Sequence, residues 1–210
     1  MIYHYFSDQR IKEYTTDRIT SLLMEQNSLE NELDIVQQYS SQLQSDYELR
    51  LLLHGIYTSN SKVVRAYNTQ IYSLLSNIRL HNPNIRDISI YTENEIAANL
   101  LKDFYPLNTQ TFFENPDPLL LNGTWRIEYT DGLPSPVFYI GFSNPPMKKY
   151  CGILRIAFDT QIFEQYANRF PDSHIYVYLN QCLIYQTDQE KPSTNLHQYI
   201  DSSTHLDTCL

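Results

Sequence analysis

Glycine is scarce in this chain, with 5 in 210 residues, and each stands alone. Isolated glycines exclude the Gly-rich loops whose backbone donors cradle phosphates. Cysteine is nearly as rare. Cys151, Cys182 and Cys209 are too few and too scattered for a disulfide framework, and their spacing offers no paired thiols for zinc. Cys151 and Cys182 lie in apolar runs where a thiol behaves as a small core residue; one disulfide can form, and the odd count leaves one thiol over. Basic residues are outnumbered 24 to 15 by acidic ones, giving a net charge of -9, and the longest basic cluster is Lys148-Lys149. A phosphate-binding surface needs clustered Lys and Arg, so nucleic acid is excluded as a partner. No run approaches the roughly twenty apolar residues that span a bilayer, and Met1–Phe6 is too short for the core of a signal peptide. The six histidines, His4, His54, His81, His174, His197 and His205, sit at element ends or in the tail. No paired-histidine motif or Gly-x-Ser-x-Gly elbow is present, so we expect no catalytic residue, no metal and no cofactor.

What is abundant is tyrosine, at 18 residues, within a chain that is 42% hydrophobic and only 19% charged, a composition that builds a packed core. Leu22, Leu29, Val36 and Leu43 recur every seven residues, with Leu33 and Tyr47 partly filling the neighbouring seam, and predict one helix from about Asp8 to His54. At about 1.5 Å per residue, fifty residues extend roughly 75 Å, a length suited to a stalk. Gln26 and Ser40 interrupt the second seam, so the N-terminal part is expected to pair weakly with a second copy of itself while Leu49, Leu51, Leu52 and Leu53 pack on the domain. Ile2, Tyr3, Tyr5 and Phe6 ahead of this polar helix resemble the aromatic exit of a membrane helix upstream.

His54-Gly55 ends the first helix, and a second is predicted from Ser61 to His81, with Ser59 or Asn60 as cap and Val64, Tyr67, Ile71, Leu74, Leu75 and Ile78 at helical spacing. Strand signals follow at Ile85–Tyr91 and, after a Glu93-Asn94 turn, in the short apolar run Ile96–Leu101. A lid loop from Leu101 to Leu121 carries Pro106, Pro116 and Pro118, with a helical turn expected near Thr111–Glu114. Thr124–Tyr129, Val137–Asn144 and Tyr150–Phe158 then read as antiparallel strands joined by short turns at Asp131-Gly132 and Pro145-Pro146. Asp159 is placed to cap a helix running to Pro171, and Ile175–Leu179 with Leu183–Tyr185 form a hairpin. The fold class is therefore α+β.

The candidate site is the sheet face beneath the lid. Along Thr124–Tyr129, Trp125, Ile127 and Tyr129 share one face while Arg126 and Glu128 share the other. Tyr139 alternates against Phe138 and Ile140, and Arg155 projects from an otherwise apolar strand. Aromatics supply desolvated contact and Arg a two-pronged grip on a carboxylate, so Trp125, Tyr129, Arg126, Tyr139, Arg155 and the lid residue Tyr105 are the candidate ligand-binding residues. The competing reading makes Trp125 and the tyrosines core, with Arg126 and Arg155 paired to Glu128, Asp87 or solvent.

The order long helix, second helix, Asn84-Ile85-Arg86-Asp87-Ile88-Ser89-Ile90-Tyr91, lid, Thr124-Trp125-Arg126-Ile127, Pro136-Val137-Phe138-Tyr139-Ile140-Gly141 and Cys151-Gly152-Ile153-Leu154-Arg155-Ile156-Ala157-Phe158-Asp159 resembles the extracytoplasmic Cache sensor region of bacterial transmembrane histidine kinases. The resemblance covers about residues 1–188. It implies a stalk helix over 1–54, a PAS-like antiparallel sensor lobe over 55–170 and the start of a membrane-proximal lobe over 171–210, so that the chain is expected to be a fragment. It further implies the extracellular side of a membrane, a small-molecule ligand or an extracellular partner protein, a homodimer in the membrane-embedded parent, and no enzymatic activity in this region. The amino-acid-binding members carry an Arg two residues before the strand Trp and a Tyr directly after it; here those positions hold Gly123 and Arg126. A constitutive dimerisation module without ligand, or the sensor of a chemoreceptor or cyclase, are the alternatives.

Overall fold

The computed structural model describes residues 2–107, 118–130, 132–144, 149–171, 173–179 and 182–187. The expected turns at Asp131 and Pro145-Pro146, the turn near Thr111–Glu114 and the tail beyond Thr187 lie outside them in whole or part. The chain divides into two compact units, Met1–Val36 and Gln37–Leu210.

The N-terminal helix α1 runs Ile2–Ser45, longer at its start than the heptads predict. Within the first unit Ile19, Leu22, Leu23 and Met24 of α1 are all more than two-fifths accessible, whereas Val36 at its end is buried. The predicted single helix to His54 is interrupted at Asp46, whose backbone turns extended while its carboxylate accepts from Leu49 N at 2.8 Å and starts a separate helix, α2, Tyr47–Leu53. Leu49, Leu52 and Leu53 on α2 are fully buried. Gly55 then closes α2 with φ +70°: Ile56 N donates to Leu51 O and Gly55 N to Leu52 O, the two reversed bonds that need a left-handed residue at this position.

The second long helical segment is α3 (Asn60–Ala66), a π-helical turn (Tyr67–Ile71) and α4 (Tyr72–His81) in unbroken succession. The π turn has a sequence cause. The buried positions Val63, Tyr67, Ile71 and Leu75 lie four apart, and in an α-helix each such step overshoots by about 40°. Widening one turn keeps all four on one face.

Five strands form a sheet in the order β2-β1-β5-β4-β3. They are β1 (Ile85–Thr92), β2 (Phe104–Pro106), β3 (Thr124–Thr130), β4 (Leu133–Asn144) and β5 (Lys149–Phe158). β3, β4, β5 and β1 are antiparallel neighbours, but β2 runs parallel to β1, so the sheet is mixed rather than wholly antiparallel. The reason is the segment predicted as a strand at Ile96–Leu101. Asn94 caps it, accepting from Ile96 N at 3.1 Å and Ala97 N at 3.2 Å, and it forms helix α5 (Glu95–Leu100), which carries the chain back so that β2 starts beside Ile90. Asp103 makes the turn into β2 at φ +70° and is held by Arg79 of α4 through bonds of 2.9 and 3.1 Å. Helix α6 (Gln161–Ala167) follows, and the Asp159 carboxylate accepts from Gln161 N at 2.9 Å at its start. A separate two-stranded sheet, β6 (Tyr176–Leu179) with β7 (Cys182–Gln186), ends the described chain.

Helices cover one face of the five-stranded sheet. Ile88, Ile90, Phe138, Ile140, Leu154, Ile156 and Phe158 point there and are at most 3% exposed. Burying one such side chain contributes about 1.5–3 kcal/mol. Gly152 gives α2 its seat, because a Cβ there would come within 2.9 Å of Leu53 Cδ2 and 3.1 Å of Tyr91 O. Among the cysteines, Cys182 is disulfide-bonded and Cys151 is a free buried thiol that donates to Phe142 O at 3.3 Å. Burial pushes the Cys151 thiol up to about 11. Alkylation at pH 8 followed by peptide mass spectrometry should therefore leave Cys151 unmodified in the native protein and label it fully in denaturant; rapid native labelling would contradict this packing.

Candidate functional site

The face opposite the helices is the polar one. Strand alternation places Asp87, Ser89 and Tyr91 of β1, Ile153, Arg155 and Ala157 of β5, Val137, Tyr139 and Gly141 of β4, and Thr124, Arg126 and Glu128 of β3 on it. Tyr105 of β2 pairs with Tyr91, their rings 5.8 Å apart. Leu107 and Leu120, at the two ends of the lid, pack on Val137, Tyr139, Tyr150, Ile153 and Ala157. Tyr150 lies flat over Gly141, where a Cβ would come within 2.3 Å of its ring.

Of the six residues chosen from sequence, the structure brings Arg126, Tyr139, Arg155 and Tyr105 to this face. Trp125 and Tyr129 lie on the other one. Trp125 packs edge-on against Phe138 at 5.2 Å and Phe158 at 6.3 Å, and Tyr129 is exposed at the end of β3. The aromatic residues of this face are instead Tyr91, Tyr105, Tyr139 and Tyr150. Tyr91 and Tyr150 were not singled out from the sequence, although Gly141 within an apolar strand marks the space that Tyr150 fills.

Arg155 is the centre of a network. Its Nε donates to Glu128 Oε1 at 3.1 Å, one terminal nitrogen to Glu128 Oε2 at 2.5 Å, and the other to Asp87 Oδ2 at 3.2 Å. Tyr139 donates its hydroxyl to the same Glu128 Oε1, and Ser89 donates to Asp87 at 2.6 Å. The Arg155 side chain is 13% exposed, Glu128 32% and Asp87 44%, so Asp87 is the wettest of the three and holds Arg155 by the weaker contact. The guanidinium that the sequence offers to a ligand is already gripped by two carboxylates of the chain.

Burial opposes the charge on Glu128, but the bonds from Arg155 and Tyr139 outweigh it and hold the carboxyl below its ordinary value. Burial and donation to Glu128 push the Tyr139 hydroxyl well up, so it stays a donor. Burial also opposes the charge on Arg155, and Glu128 more than restores it. This arrangement is suited to binding and holding rather than to proton transfer, because none of these groups titrates near neutrality. The Cys151 Sγ lies 3.9 Å from His54 Nε2, but burial keeps the sulfur a thiol and therefore a poor nucleophile. Among the described residues no group of three or more His, Cys, Asp or Glu could hold a metal ion, and no helix is long and apolar enough to cross a membrane.

No protein-family model matches the chain, and a search of curated proteins found no match to its sequence.

Proposed function

We propose that this chain is the extracellular sensing region of a membrane-bound signalling protein of the Cache type, in a bacterial sensor histidine kinase, and that it works without catalysis. The observation that carries this reading is the division of the sheet. One face is sealed by helices, while the other places a charged and tyrosine-rich network on the central strands, bordered by both ends of a lid. Further support comes from the long α1 helix, from the exposed apolar residues Ile19, Leu22 and Leu23, whose spacing suits a second copy of the helix, and from the Cys182 disulfide, which persists in an oxidising compartment.

In this reading a small anionic ligand enters by exchange. It takes the place of Asp87, the looser partner of Arg155, while Glu128 and Tyr139 stay in position and Tyr91 and Tyr105 contact its body. Exchange predicts that Asp87→Asn, which frees one guanidinium nitrogen from a charged competitor, tightens binding of carboxylates about tenfold, whereas Arg155→Lys weakens it by a similar factor. Thermal shift and calorimetry over carboxylates, amino acids, sugars and peptides test this. A panel without any stabiliser, or ligands indifferent to both substitutions, would refute direct sensing on this face and favour the dimerisation module.

A further inference from the structure

At the end of α1 a second opening exists, away from the Arg155 network. It has a volume of about 350 Å³ and is lined by Gln44, Ser45, Arg50, Leu121, Phe142 and Ser143. Its size falls within the range of small-molecule sites. Phe142 is buried and forms an apolar wall with Leu121, which is 41% exposed.

Arg50 is the cation among the lining residues, and the nearby acid Glu93, which acts with it on the Cys151 thiol, does not pair with it. Arg50 makes no ion pair among the described residues, although the whole chain carries a net charge of -9. The acids beside it on the chain are engaged elsewhere. Asp46 spends one carboxylate oxygen on Leu49 N and the other on Gln70 Nε2 at 2.9 Å, and Glu48 accepts the Tyr57 hydroxyl at 2.5 Å. Ser45 donates to Gln42 O, which leaves Arg50 and Ser143 as the donors available to an incoming group. A guanidinium and a hydroxyl at the rim of a half-apolar cavity match a carboxylate bearing a short hydrocarbon arm.

The place matters as much as the chemistry. Gln44 Nε2 donates to Leu121 O at 3.1 Å and to Gly141 O at 2.8 Å, so one amide fastens the last turn of α1 to the end of the lid and to β4. A molecule lodged against Gln44, Leu121 and Phe142 sits on that fastening.

We propose that this cavity is a second ligand site, distinct from the Arg155 face, that binds a small aliphatic carboxylate through Arg50 and thereby stiffens the junction of α1, lid and β4. The test uses the 210-residue chain with butyrate and 4-methylpentanoate at about 10 mM; butyramide and sodium chloride at matched ionic strength serve as controls. The carboxylates should raise Tm by about 2–4 °C, and the amide and chloride should not. The gain should vanish in Arg50→Gln and in Leu121→Trp, which fills the cavity while keeping the charge, and persist in Arg86→Gln, which removes an exposed arginine on β1. No gain in the native chain, an equal gain from chloride, or a gain that survives Arg50→Gln would each overturn the assignment. The last result would assign the effect to another site, the Arg155 face included, so failure here is separable from failure there.

Discussion

Replacing Glu128 by Ala is expected to cost about 2–4 kcal/mol and to lower Tm by about 5–15 °C, more than replacing its partner Arg155 by Met. The asymmetry follows from burial. Without Glu128, a guanidinium that is 13% exposed keeps only Asp87 at 3.2 Å, and the Tyr139 hydroxyl loses its acceptor. Without Arg155, Glu128 is still 32% exposed and still receives Tyr139, so water can take over part of its solvation; about 1–2 kcal/mol is expected. The double variant should fall well short of the sum, because each change removes the same interaction. Urea melts of the four proteins measure the coupling, and simple additivity would contradict the network.

The acid limb of the stability curve reports the same interaction. The folded Glu128 carboxyl titrates below its unfolded value of 4.5, so in that window the folded state binds fewer protons than the unfolded one. The stabilisation is complete above that pH and is lost as pH falls through the folded value. Glu128→Ala should flatten the limb below about pH 5 and change little between pH 6 and 8.

A larger effect is expected from deleting one residue in the helical segment from Asn60 to His81. Removing Ser76 from α4 turns everything after it by about 100°, taking Ile78 from the core and Arg79 from Asp103. Asp103 is 9% exposed and would be left without its cation. The lost burial and the orphaned charge together exceed about 5 kcal/mol, enough to unfold an ordinary domain. Removing Thr69 should be far milder. It lies on the exposed side of the π turn, and its loss lets the segment close as a regular α-helix with Val63 and Leu75 near their present directions. Circular dichroism melts should show Thr69 deletion folded with a Tm within several degrees of the native value, and Ser76 deletion without a cooperative transition. Equal damage from both would mean that the π turn does not absorb an extra residue.

The alternating strands β1, β3, β4 and β5 were legible in sequence, because alternation reports directly on the two sides of a sheet. The facing of Arg126 and Glu128 against Trp125 followed from the same period. The segment after Asn94 was not. The run Ile96–Leu101, apolar except for Asn99, suits a strand or a helical turn equally, and the deciding contact is the Asn94 side chain closing on the amides of Ile96 and Ala97. The parallel pairing of β2 depends on that helix and was hidden with it. The π turn showed only as successive steps of four, which periodicity alone treats as ordinary helix. At the site, the candidate arginines were visible, and so was the competing reading that pairs Arg155 with Glu128 and Asp87, which is the one the structure adopts; strand alternation alone does not choose between that pairing and a guanidinium left for a ligand. Glu128 and Arg155 are 27 positions apart and meet across three twisted strands. The contacts of Gln44 with Leu121 and Gly141 are more distant still, spanning 77 and 97 positions.

The strand order leaves two unequal margins. At one, β2 is three residues long and ends in Pro106, which has no amide hydrogen to offer, so another chain finds almost nothing to add to. At the other, β3 is seven residues long, with Tyr129 68% exposed at its end and Leu133 71% exposed just beyond the turn. Where crowding or mild heating drives these molecules to aggregate through their sheets, growth should therefore start at β3, and a charged residue in place of Tyr129 should keep the protein in solution longer.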